Sequence, residues 1–194
     1  HGVRTCPSCG AGPMTVFHTA RRVPTNSCIL LRTPEEARAY PTGDIELAFC
    51  GDCGFMSNVA FDPGLTEYSA RYEETQGYSP TFNAFHRALA ERLIERYDLH
   101  DKDVIEIGCG KGEFLMLLCE LGGNRGIGFD PGVHLARIRG PAADRVQFIA
   151  DFYSAEYADR RGDFVACKMT LEHIHATGDF LRTIRQAIGD REGT

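Results

Sequence analysis

The chain has 194 residues, 43% of them apolar and 25% charged, with a net charge of −6. At roughly 150 residues per domain, this is room for one large domain, or one domain plus a small module, with a real buried core. The deficit of positive charge disfavours a nucleic-acid partner, and the longest apolar run, Phe114 to Cys119, is too short to span a membrane.

The amino terminus, His1-Gly2-Val3-Arg4, has no signal-peptide core and no initiator methionine. We therefore expect a cytoplasmic protein with trimmed ends. Two cysteine pairs follow: Cys6-Pro7-Ser8-Cys9-Gly10 and Cys50-Gly51-Asp52-Cys53-Gly54. Two residues between thiolates let one tight turn aim both sulfurs at a single ion, and the following glycine permits a positive φ. Cys6, Cys9, Cys50 and Cys53 would fill a closed tetrahedral structural zinc site. The segment between the pairs exceeds ordinary ribbon spacing, so it reads as an insertion that the metal closes off. A disulfide framework would fit a secreted chain, and a redox motif would need only one pair. Cys28, Cys109, Cys119 and Cys167 read as buried apolar residues, and His18 as a surface residue of the insertion. The zinc module is assigned to residues 1–60 and a linker to 61–80. The linker is rich in turn residues and carries Tyr68, Tyr72 and Tyr78.

Residues 81–194 carry an α/β pattern. Ser79 and Pro80 start a helix, and Phe82, Phe85, Leu89, Leu93 and Tyr97 form its apolar stripe. Residues 103–107 form a strand, 108–112 a tight glycine turn and 113–121 a helix that stops at Gly122-Gly123. Further strands are expected at 126–130, 146–151 and 163–169, and a last amphipathic helix at 179–188. Strands alternating with helices imply a Rossmann-like parallel sheet with right-handed crossovers.

In such sheets ligands bind at the carboxyl ends of the strands. Gly108, Gly110 and Gly112 stand at one strand end, and Asp130 lies 20 residues beyond Gly110 at the next. A carboxylate there accepts ribose hydroxyls. Asp151, one strand further, suits an adenine amino group. The third glycine comes one residue too early for a dinucleotide fingerprint, and Lys111 is not followed by Ser or Thr, so there is no P-loop. Glu106 at the same strand end would repel a pyrophosphate and attract an ammonium. These choices fit S-adenosylmethionine (SAM), a nucleoside with a sulfonium, an amino-acid end and no phosphate.

With Val104-Ile105-Glu106-Ile107-Gly108-Cys109-Gly110-Lys111-Gly112, Gly128-Phe129-Asp130-Pro131 and Met169-Thr170-Leu171-Glu172-His173-Ile174, the chain resembles the class I SAM-dependent methyltransferases. The added double Cys-x-x-Cys module is similar to that of zinc-binding C-methyltransferases acting on nucleotide-linked keto-deoxysugars. The resemblance implies a SAM site lined by Glu106, Gly108, Cys109, Gly110, Asp130, Pro131, Asp151 and Phe152, with Tyr72 or Tyr78 closing over it. It implies a small-molecule acceptor, such as a nucleotide sugar. It also implies a seven-stranded sheet and a carboxy-terminal acceptor region. Only about four strands are legible here, so we expect a partial core with much of the acceptor site missing.

Carbon becomes a nucleophile when a proton beside a carbonyl is removed, and His173, past the fourth strand, is the candidate general base. Two other readings stand beside this one. A zinc-finger RNA base methyltransferase would use Arg21, Arg22 and Arg32, a modest basic patch. A binding-only zinc and SAM protein would carry a decayed core. The sequence carries no signal for oligomeric state.

Overall fold

The computed structural model describes residues 4–26, 28–66, 75–133 and 139–191. By its contacts the chain divides into two units, His1–Glu73 with Glu172–Arg182, and Glu74–Leu171 with Thr183–Thr194. The division runs through the stretch read as a linker. It also assigns Glu172–Arg182, read as part of the α/β core, to the amino-terminal unit.

In the first unit, β1 (Thr15–Pro24), β2 (Thr42–Phe49) and β3 (Met56–Asn58) form an antiparallel sheet in that order. The connection from β1 to β2 holds a short helix, α1 (Pro34–Ala39), whose Thr33 cap accepts the Glu36 N–H at 3.2 Å. Pairing of β1 with β2 slips between Val16 and His18 and again between Ala20 and Val23. His18 on β1 is exposed, as expected. A small core of Cys6, Met14, Ala48 and Cys50 is backed by Ala11, Phe55 and Val59.

The second unit carries α2 (Pro80–Tyr97), β4 (Asp103–Ile107), α3 (Glu113–Gly122), β5 (Arg125–Phe129), β6 (Val146–Ile149) and β7 (Phe164–Ala166). The last helix, α4 (Thr177–Ile188), spans the division between the units. The four strands pair in parallel in the order β6-β5-β4-β7. Chain order runs outward from β4 in one direction and then returns to its other side at β7. The carboxyl end of β4 is thus the switch point at which such sheets hold ligands. The expected Rossmann-like parallel sheet is therefore present, with strand and helix ends within a few residues of expectation.

The Ser79 cap forms as expected, its hydroxyl accepting the Phe82 N–H at 3.3 Å. The stripe on α2 is met in part: Leu89 and Leu93 pack against the core as expected. His86, Ala90 and Ile94 are its buried residues, whereas Phe85 and Tyr97 are 46% and 50% exposed. The two stripes lie about one residue apart around the helix, and the smaller side chains admit the closer approach of α3. The expectation for the remaining cysteines is met in part: Cys109 and Cys119 are buried, but Cys28 and Cys167 are only half-buried.

One fully buried amide ties the second core together. Asn124 donates to the carbonyls of Leu99 at 2.9 Å and Leu118 at 2.7 Å, and accepts the Lys102 N–H at 2.9 Å. These bonds join the segment after α2, the body of α3 and the start of β4. Asn124→Ala strands those backbone groups without water. We expect it to lower stability by about 3 kcal/mol, read as a lower urea midpoint with unchanged m-value.

Candidate functional site

The turn after β4 hangs on one carbonyl. Gly108 and Cys109 both donate their N–H groups to the Phe129 carbonyl, at 2.8 and 3.1 Å. Gly108 has φ +70°, and a Cβ there would lie 2.2 Å from the Thr170 hydroxyl, so a side chain fails on both strain and space. Thr170 donates that hydroxyl to the Gly108 carbonyl at 3.2 Å. Nothing in the sequence marks Thr170, because its role depends on β7 lying beside β4.

Asp130 follows β5 and accepts the Gly110 N–H on Oδ2 at 2.9 Å and the Gly132 N–H on Oδ1 at 2.7 Å. It therefore braces the glycine turn, and each oxygen keeps lone pairs for a further donor. Asp151, past β6, accepts the Tyr157 hydroxyl at 2.6 Å and the Phe152 N–H at 2.8 Å. Tyr157, which the sequence reading missed, orients this carboxylate. Pro131 is half-buried beside Asp130, Cys109 is buried beneath the turn, and Phe152 is 64% exposed.

Glu106 is 1% exposed, and its Oε2 has no hydrogen-bond partner among the described residues. Burial pushes its carboxyl up to about 8, against the Lys168 ammonium and the Leu115 N–H, which favour the charged form. At neutral pH, then, Glu106 is an uncharged acid, not the standing anion that the sequence suggests. Its orphaned oxygen suits an incoming cation.

Tyr78 is 89% exposed, in a stretch anchored to the glycine turn's helix: Thr75 donates its hydroxyl to the Glu113 carboxylate at 2.8 Å. Tyr72 lies outside the described residues. A cleft of about 520 Å³ borders α2 and α3 and is lined by His86, Lys111, Glu113 and Arg139, among others. Glu106, Asp130 and Asp151 are not among the residues that line it. His173 is exposed in the turn Leu171–His173, on the stretch from Glu172 that groups with the amino-terminal unit.

The amino-terminal unit brings together the sulfurs of Cys6, Cys9, Cys50 and Cys53, all within 4.8 Å of one another. Cys6 to Cys53 and Cys9 to Cys50 are each 3.7 Å apart. A disulfide needs about 2 Å, whereas a tetrahedron with metal–sulfur bonds of about 2.3 Å has sulfur–sulfur edges of about 3.8 Å. The two turns are built alike. Gly10 donates to the Cys6 carbonyl at 2.9 Å and Gly54 to the Cys50 carbonyl at 3.0 Å, with φ of +79° and +77°. Burial raises Cys6, but the N–H groups of Cys9 and Ser8 outweigh it and bring it down to about 7. Against the Phe55 N–H, which lowers it, the neighbouring Cys9 sulfur and burial push Cys53 up to about 12. Four sulfurs at these separations match the edges of one metal tetrahedron, and the donor set fits zinc.

Residues 82–193 match the family described as a methyltransferase domain, and the chain belongs to that family. The parallel-sheet unit is thus a methyltransferase core of the Rossmann-like class. Among solved structures, a SAM-dependent methyltransferase from Geobacter sulfurreducens, in complex with S-adenosyl-L-homocysteine, is similar at 24% identity and a TM-score of 0.42. The likeness covers 59% of this chain and 45% of that one. No curated protein matches the chain.

The Glu106 carboxyl sets a pH signature. The folded chain keeps the proton that the unfolded chain loses near 4.5, so stability is greatest below that pH and falls as pH rises through about 8. The slope is at most about 1.4 kcal/mol per pH unit. Denaturant titrations across this interval should show it, and Glu106→Gln should flatten it.

Proposed function

We propose that the protein transfers the methyl group of SAM to a small-molecule acceptor. The favoured acceptor is the carbon beside the carbonyl of a nucleotide-linked keto-deoxysugar. The observation that carries SAM is the row of carboxyl groups, Glu106, Asp130 and Asp151, at the ends of β4, β5 and β6 beside a turn in which glycines alternate with Cys109 and Lys111. Acids so arranged favour an ammonium, a ribose diol and an adenine amine, and disfavour a pyrophosphate. The sugar acceptor is supported by the pairing of this core with a double Cys-x-x-Cys module. Against an RNA acceptor, Arg21 of the basic patch is held by Asp44 at 2.7 Å and Glu46 at 3.2 Å.

When bound, SAM supplies an electrophilic methyl group on a sulfonium. Glu106 would give up its proton to solvent and hold the ammonium. Asp130 would receive the ribose hydroxyls on the lone pairs left by Gly110 and Gly132. Asp151, steadied by Tyr157, would take the adenine amino group. Cys109, Pro131 and Phe152 would complete the lining, with Tyr78 or Tyr72 over it. His173 would remove the proton beside the acceptor carbonyl and keep it on the imidazole; the enolate carbon would then take the methyl group in line as the sulfur–methyl bond breaks and S-adenosyl-L-homocysteine leaves.

Titration calorimetry with SAM or S-adenosyl-L-homocysteine tests the SAM site. We expect binding, proton release at neutral pH that Glu106→Gln abolishes, and affinity at least about tenfold weaker in Asp130→Ala. Mass spectrometry should then show one methyl added to a nucleotide-linked keto-deoxysugar, dependent on His173. Heatless mixing in the wild-type protein would overturn the SAM reading, whereas binding without a methylated sugar would overturn only the acceptor.

We further propose that Cys6, Cys9, Cys50 and Cys53 hold one structural zinc ion with no open position. A cytoplasmic setting suits eight cysteines of which none forms a disulfide. No helix among the described residues is long and apolar enough to cross a membrane. Cys50→Ser should lose the metal by elemental analysis and unfold the amino-terminal sheet by circular dichroism. Unchanged metal content would sink the assignment.

A further inference from the structure

The first turn of any α-helix leaves backbone N–H groups that the helix cannot satisfy. In α4 one of these, on Gly178, donates to the Pro7 carbonyl at 2.9 Å. Pro7 and Ser8 are the two residues between Cys6 and Cys9, so the acceptor belongs to the first metal-binding turn. Thr177 and Gly178 are both buried. The approach requires a missing side chain: a Cβ on Gly178 would lie 2.1 Å from the Ser8 carbonyl oxygen and 3.0 Å from that of Pro7. Two more contacts hold the same stretch. Thr177 donates its hydroxyl to the Ile174 carbonyl at 2.6 Å. Phe61 stacks on His175 with ring centroids 5.0 Å apart and an interplanar angle of 24°.

We propose that the first cysteine turn is a platform that sets the position of the Glu172–Arg182 segment, and that Gly178 is the positioning residue linking the metal to His173. The inference rests on the zinc reading and goes beyond it, because it gives the metal a task outside its own module. Among the described residues, the turn that carries the Pro7 and Ser8 carbonyls is closed by the bonds from Gly10 to Cys6 and from Cys6 to Ala11, and Gly178 is seated on it. With an ion, Cys6 and Cys9 are pinned and the carbonyls between them become a rigid acceptor surface. Coupling of this kind is reciprocal: if the metal orders the segment, the docked segment tightens the metal by the same factor.

Hydrogen exchange and cobalt substitution test this on the full chain. Chelation should raise amide exchange across residues 172–182 and shift the His173 ring resonances. Gly178→Ala should keep a thiolate-to-cobalt charge-transfer spectrum, bind cobalt several-fold more weakly, and show raised exchange in 172–182 with metal bound. In that variant chelation should no longer move the His173 signals. Phe61→Ala, which adds no atoms, serves as a second variant and should loosen the same segment. Exchange in 172–182 that ignores chelation in a cobalt-binding wild type would overturn the coupling and spare the zinc site. A wild type with no cobalt spectrum would overturn both.

Discussion

A single acceptor, the Phe129 carbonyl, receives the N–H groups of Gly108 and Cys109, and the shape of the glycine turn depends on that convergence. It pulls the turn after β4 over the end of β5, which brings the Gly110 N–H within reach of Asp130. Thr170 locks the turn from the β7 side through the Gly108 carbonyl. The carboxylates are thus oriented by backbone donors before any ligand arrives. This is the preorganisation that makes polar groups effective in a binding site. Only Glu106 departs from the pattern, buried with one oxygen lacking a partner among the described residues and its carboxyl pushed up to about 8.

The amino-terminal unit rests on a different balance. Its buried cluster is small, with Cys6, Met14, Ala48 and Cys50 at the centre. Such a core contributes little against chain entropy. A metal joining the two ends of a long insertion would supply the remainder by closing that loop. The same cysteine turns also seat the start of α4 from far along the chain, through the Gly178 bond to Pro7.

Features set by local chemistry were legible in the sequence. The β4 strand, its glycine turn and α3 follow from β-branched residues, residues able to take positive φ, and apolar spacing, and they stand where expected. The sulfur cluster was legible because two short spacings each define one turn. Features set by distant neighbours were not. Whether α2 buries Phe85 or His86 depends on how closely α3 approaches, since both stripes satisfy helical periodicity. The charge of Glu106 depends on burial, which comes from the whole sheet. The grouping of Glu172–Arg182 with the amino-terminal unit depends on a glycine contact across most of the chain, and a lone Gly178 gives no signal of it. Asp130 is expected from the sequence as a ligand group, but its bracing of the glycine turn emerges only from the fold.

The two slips in the pairing of β1 have a further consequence. This strand lies at the edge of its sheet, and most of its residues, Phe17 among them, are exposed. A long, even, apolar edge is a template for a foreign strand and so for aggregation. A neighbour that tried to extend this sheet would lose its ladder at Val16–His18 and again at Ala20–Val23. Irregularity along β1 therefore makes this edge a poor template for strand addition.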